Sequence, residues 1–153
     1  MKLTLIAVSI FTLSLLSCGS GSTERAAQQT EKTMEQNTIT EKYWKLKTLN
    51  GKDVVMGENQ LKEVNFTLKN AENRISGFGG CNEFSGKYTL ADGNSISFSE
   101  IISTKMYCEN PMFNESDFFK MLGQAKTYEA DKDMLTLQDA SGKKLATFEA
   151  IYF

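Results

Sequence analysis

The sequence predicts a single, mainly β domain: an antiparallel barrel or two-layer sheet carrying one packed α-helix over about residues 115–126. Three observations predict it. Apolar side chains recur at period two through most of the chain after residue 41. Turn-forming residues interrupt these runs roughly every 8–12 positions, the spacing of a meander that closes on itself. One segment alone, in the C-terminal third, switches to helical spacing.

The elements follow in order. Trp44 and Leu46 alternate with Lys45 and Lys47 ahead of an Asn50-Gly51 turn. Val64, Phe66 and Leu68 alternate with Asn65, Thr67 and Lys69. Asn70 to Asn73 turns the chain into Arg74–Phe78. Phe84 to Leu90 is the next strand, Asp92-Gly93-Asn94 turns it, and Ser95 to Phe98 returns with Ile96 and Phe98 inward. Between Glu115 and Lys126, Phe118, Leu122 and Ala125 recur at helical spacing, and Phe119 widens the stripe. Asn114 is the expected N-cap, and Glu115 and Asp117 sit where the helix dipole favours negative charge. Gly123 weakens this helix by about 1 kcal/mol relative to alanine. Met134 to Leu137 and Leu145 to Tyr152 are further strands around a Ser141-Gly142 turn.

The N-terminus has a different character. Met1-Lys2 is followed by Leu3 to Leu16, mostly apolar. At roughly 1.5 Å per residue, a helix of this length falls short of the ~30 Å hydrocarbon core, so residues 1–17 read as a signal peptide. Leu15-Leu16-Ser17-Cys18-Gly19 resembles the lipobox of bacterial lipoproteins, which implies lipidation of Cys18. The bland alternative is an ordinary cleaved signal with a coincidental cysteine. Residues 18–40, running GSGSTERAAQQTEKTMEQ after Cys18, are too polar to offset ordering entropy and read as a lipidated N-terminus with a flexible tether. Folded sequence, residues 41–153, is expected to begin near Glu41. The expected location is the cell envelope, outer membrane over inner, because Gly19 and Ser20 lack an evident retention signal; the domain would face the periplasm or the cell surface.

Composition narrows the function. From Cys18 onward the chain holds 16 basic and 19 acidic side chains, which offers no footprint for nucleic acid. It contains no histidine, so histidine bases, triads and His-rich zinc sites are excluded.

Trp44-x-Leu46 with Leu49-Asn50-Gly51, then Gly80-Cys81-Asn82-x-Phe84-x-Gly86-x-Tyr88, then Thr104-x-Met106-x-Cys108 stand in this order. Phe118, Leu122, Tyr128 and Leu135-x-Leu137 complete the set. Over about residues 41–149 the chain resembles the META domain, or heat-shock HslJ-like, family. The resemblance implies a mainly β, lipocalin-like fold with a helix. It implies an envelope setting linked to stress and antibiotic tolerance, with no established activity and no catalytic residues to carry over.

The signature needs a physical account. Gly77, Gly79, Gly80 and Gly86 crowd one region, which predicts a sharply bent strand pair from Phe78 to Gly86 at a barrel corner. Asn82 would adopt a left-handed backbone or bond to the local turn, and Tyr88 would pack inside. The functional alternative places Asn82 and Glu83 on a recognition surface. Cys81 and Cys108 are the thiols left after lipidation, and in the envelope such a pair predicts a disulfide, contributing roughly 3.5 kcal/mol for a loop of about 28 residues. The alternative is a Cu(I) site from Met106, Cys108 and Met112 with Cys81 nearby, against which methionine often only fills irregular cores.

No nucleophile elbow, zinc motif or phosphate loop is present, and Glu100, Glu109, Glu115 and Asp117 read as solvated surface. No cofactor or metal is expected. The expectation is a non-enzymatic envelope lipoprotein, held on the membrane by Cys18, acting by contact with another envelope protein or in envelope stress tolerance. An inhibitor-like role would use the segment Ser103 to Phe113. The alternatives are a lipocalin-like carrier of a small apolar ligand, which needs a roomy interior, and a hydrolase, which needs a cleft of arranged acids. Phe66, Phe78, Phe98 and Trp44, if inward, would fill the barrel.

Overall fold

Strand β1 (Tyr43–Leu49) carries the closure of the barrel, pairing with β3 (Asn65–Lys69) on one side and with the last strand, β9 (Lys144–Ile151), on the other. The computed structural model describes residues 38–57, 60, 62–108 and 113–153. The signal peptide, Cys18, most of the tether, Glu109 and Met112 lie outside the described residues. From β3 the antiparallel order runs through β4 (Arg74–Phe78), β5 (Glu83–Ala91), β6 (Ser95–Ser103), β7 (Thr127–Asp131) and β8 (Met134–Gln138) to β9. A two-residue β2 (Lys52–Asp53) folds back on the end of β1. Among the described residues the result is a closed, eight-stranded antiparallel barrel with one α-helix, so of the two expected architectures the barrel is the one present.

The period-two residues point where alternation requires. Trp44, Leu46, Phe66, Leu68, Ile75, Leu135, Leu137 and Phe148 are fully or almost fully buried. Phe66 meets Phe148 and Phe98 edge-on, with centroids 4.8 and 6.3 Å apart. An aromatic of this size removes roughly 150–250 Å² from water, about 4–6 kcal/mol at 25 cal per Å². The interior is therefore side chain. The Trp44 indole N–H donates to the Ile39 carbonyl at 2.8 Å, and Ile39 is only 2 % exposed. Packed sequence thus starts ahead of Glu41, because Ile39 covers the end of the barrel beneath Trp44.

Helix α1 (Glu115–Gln124) is capped by Asn114, whose Oδ1 accepts the Ser116 N–H at 3.2 Å. It buries Phe118, Met121 and Leu122, and Phe118 and Phe119 both pack edge-on to Phe84. The helix ends at Gln124, short of the Lys126 expected. The Lys126 N–H donates to the Gln138 carbonyl and its own carbonyl accepts from Ile96, so the sheet claims the backbone that another turn would need.

Two strand differences have physical causes. Strand β6 runs to Ser103, past the Phe98 expected, because a bulge between the Ser85↔Ile102 and Lys87↔Ser99 pairs places Glu100 at φ 52. One extra residue flips the alternation, leaving Ile101 partly packed and Ile102 exposed, so the pattern vanishes from sequence. Strand β7 was not expected at all. Its TYEAD sequence half-buries Thr127, Tyr128 and Ala130 and fully buries none, and it is held by pairing with β8 rather than by its own pattern.

Candidate functional site

Strand β4 ends in Gly77-Phe78, and the Gly79 N–H donates to the Asn82 carbonyl at 2.8 Å to close the turn into β5. Glycine is required here by crowding. A Cβ at Gly77 would run into the backbone of Asn65 and Phe66 on β3. At Gly79 it would lie 2.6 Å from Glu115 Oε1, and Gly80 has φ +111°. Strands β4 and β5 pair in unbroken register from Arg74↔Lys87 to Phe78↔Glu83, and the connecting turn over 79–82 lies against the first residue of α1.

Asn82 is the centre of what results. It is 6 % exposed, and it is absent from the residues with positive φ; Gly80 takes that role instead. Its side chain does not bond the local turn, as the sequence suggests, but reaches two distant segments. Its Oδ1 accepts the Thr104 hydroxyl at 2.8 Å and the Met106 N–H at 2.7 Å. Its Nδ2 donates to Glu115 Oε2 at 2.8 Å, while Glu115 Oε1 accepts the N–H groups of Asn82 at 2.7 Å and Cys81 at 3.3 Å. Among the described residues no buried side-chain nitrogen or oxygen lacks a partner. A buried network is stabilising only when its members are satisfied in this way.

The disulfide Cys81–Cys108 joins the same two segments, with Cα atoms 5.9 Å apart. The Thr104 N–H also donates to the Glu83 carbonyl at 3.0 Å. The stretch Thr104–Cys108 is thus fastened through the Thr104 amide and hydroxyl, the Met106 amide and the Cys108 sulfur. Its Lys105, Met106 and Tyr107 side chains nevertheless face outward. Tyr107 is 90 % exposed, Met106 61 % and Ile102, just before, 69 %. Glu83 is exposed beside them and pairs with Lys62, whose ammonium lies 5.2 Å from the centroid of the Phe78 ring.

The other signature residues serve the frame. Phe84 packs on α1. A Cβ at Gly86 would lie 2.5 Å from Ile101 Cδ1 and 2.8 Å from the Ser99 carbonyl, because the bulge carries β6 across it. Tyr88 is buried, and its hydroxyl donates to the Lys69 carbonyl at 3.3 Å.

Among the described residues, the acids singled out in the sequence do not converge. Glu100 is exposed on the bulge and paired with Lys87, Asp117 is exposed on α1, and Glu115, expected on the solvated surface, is instead drawn into the clasp. Sequence reasoning misses this role of Glu115 because its partners lie 33 and 34 residues away and an acid at a helix start already has a local explanation. With Cys81 and Cys108 joined, neither offers a thiolate to copper. An open depression of about 450 Å³ is lined by Gly123, Gln124, Lys126, Asp139, Ala140 and Ser141. Its one carboxyl, Asp139, accepts from the Ser141 hydroxyl and from the Ser141 and Lys143 amides, and those bonds hold it below the usual carboxylate range.

The META domain family model matches residues 37–152. A solution structure of a protein from Burkholderia xenovorans is similar with a TM-score of 0.58 at 20 % identity, covering 95 % of this chain and 100 % of that one. A second solution structure is similar with a TM-score of 0.56 at 27 % identity, covering 72 % and 90 %. No curated protein matches the chain.

Proposed function

Because the chain belongs to the META domain family, we propose that it is a non-enzymatic envelope lipoprotein that docks on another envelope protein through the clasped segment Ser103–Cys108. One observation carries this reading: Met106 and Tyr107 project into solvent from backbone held by the Asn82 amide and the Cys81–Cys108 bond. An exposed aromatic on preorganised backbone loses little entropy on binding, and tyrosine is among the residues that most often dominate interface energies. Such a rigid, protruding segment has the character of an inhibitor loop, which is the concrete form the interaction would take. Cys18 anchors the protein, with the outer membrane as the favoured location, and the contact contributes to envelope stress tolerance.

The filled interior around Trp44, Phe66 and Phe148 speaks against an apolar-ligand carrier. The test places a photo-crosslinking amino acid at position 107 of the full membrane-bound chain, with position 89 on β5 as control. A discrete adduct with another envelope protein from position 107, weakened by Asn82→Ala, is the expected result. No adduct, or the same adducts from both positions, would overturn the reading.

A further inference from the structure

The end of the barrel opposite the clasp carries its own exposed apolar group. Tyr43 at the start of β1 pairs with Ile151 at the end of β9, so Glu41–Lys42 and Tyr152–Phe153 leave the barrel side by side. The Tyr43 and Phe153 rings meet edge-on at 5.3 Å. The Tyr152 hydroxyl donates to Asp133 Oδ1 at 2.7 Å, and Lys42 Nζ donates to the Lys132 carbonyl at 3.2 Å, which binds the β7–β8 turn into the same end. Phe153 is fully exposed and Tyr152 67 % exposed, with Met134 beside the turn also open to solvent. Strands β3 and β4 run between this end and the clasp: Lys69, paired with Arg74, lies beside Glu41, whereas Asn65, paired with Phe78, lies beside the Gly79–Asn82 turn.

We propose that this end is a lipid-docking surface, with Tyr152, Phe153 and Met134 entering the boundary between headgroups and acyl chains. The proposal rests on the lipid-anchor reading of Cys18. Its occupant follows from the chain itself, because the described chain begins at Thr38 and enters the barrel at this end through Ile39 and Glu41, on the side of Cys18 in the sequence. The roughly 20 residues between Cys18 and Thr38 are few enough that a lipid on Cys18 would hold this face at high effective concentration beside the bilayer. Aromatic side chains with one polar edge favour that interface. Two exposed rings bind a bilayer weakly alone, and the anchor turns that weak contact into an orientation. Docked this way, the Tyr107 segment faces away from the membrane.

The test uses the full chain in native membranes, with a fluorescent amino acid placed at position 132 or at position 107 and doxyl-labelled phospholipid as quencher. Quenching at 132 is expected to exceed that at 107 by about twofold or more, and Phe153→Ser with Tyr152→Ser is expected to bring it down to the level at 107. Equal quenching at both positions in membrane-bound protein would overturn the docking surface and leave the anchor standing. Contact of position 132 with a second copy, without lipid quenching, would do the same. Recovery of the wild-type chain in the soluble fraction would overturn the anchor and the docking surface together.

Discussion

Glu115 grips Asn82 twice, taking its backbone N–H on Oε1 at 2.7 Å and its side-chain amide on Oε2 at 2.8 Å. Because Asn82 spends its remaining oxygen on Thr104 and Met106, this one contact links the β4–β5 turn, the start of α1 and the exposed loop after β6. The Gly-Cys-Asn and Thr-x-Met-x-Cys blocks of the family signature are therefore two sides of one clasp, joined once by hydrogen bonds and once by sulfur.

Asn82→Ala strands the Thr104 hydroxyl, the Met106 amide and Oε2 of Glu115, while Oε1 keeps the backbone N–H groups of residues 81 and 82, and is expected to cost about 2–3 kcal/mol in denaturant unfolding. Asn82→Asp places a second carboxylate against Glu115, so its deficit should exceed that of alanine at neutral pH. It should narrow as acid lets the pair share a proton.

Reduction of Cys81–Cys108 is expected to lower the thermal midpoint, with a stability loss of roughly 3.5 kcal/mol in the chain-entropy account. Cys81→Ser should melt lower than wild type under oxidising conditions and show no further response to reductant. Equal melting of the wild type with and without reductant would contradict this.

Two glycine-to-alanine changes should act with opposite sign. Gly86→Ala drives a methyl into Ile101 and the Ser99 carbonyl under the bulge, and is expected to cost about 1–3 kcal/mol. Gly123→Ala meets open space on the exposed face of α1, and should stabilise by about 0.5–1 kcal/mol. Thermal melts of the two variants check both.

The barrel should weaken in alkali. Burial, reinforced by the charge and hydrogen bond of Glu63, pushes the Tyr43 phenol up to about 12. A folded value above the unfolded one near ~10 means that this stability is complete below that pH and is lost as pH rises toward 12. Absorbance titration at 295 nm should show a late tyrosine step that Tyr43→Phe removes. Asp139 acts at the other extreme: its folded value is lowered, so its contribution is present above the unfolded carboxyl range and is lost as acid passes through the folded value. Asp139→Asn should remove that acid-side loss.

The barrel was legible wherever one face of a strand carries the core. Phe66 and Leu68 declare β3 by alternation alone, and Asn114, Phe118 and Leu122 declare α1. It was illegible where pairing rather than burial holds the strand, as in β7, and beyond Glu100, where a bulge reverses the alternation. The cysteine pair could be read because the envelope setting expected from the sequence favours joining two thiols. The clasp could not be read whole: Asn82 looks like a turn residue and Glu115 like a helix-start acid, and only the fold brings them together.

The clasp is tested most directly by hydrogen exchange at the Met106 amide. The loop is exposed, yet that amide is bonded to Asn82 Oδ1 at 2.7 Å, so slow exchange is predicted in the wild type and fast exchange in Asn82→Ala. Rapid exchange in the oxidised wild-type protein would mean that the segment is not held in place, and the docking role assigned to Met106 and Tyr107 would fall with it.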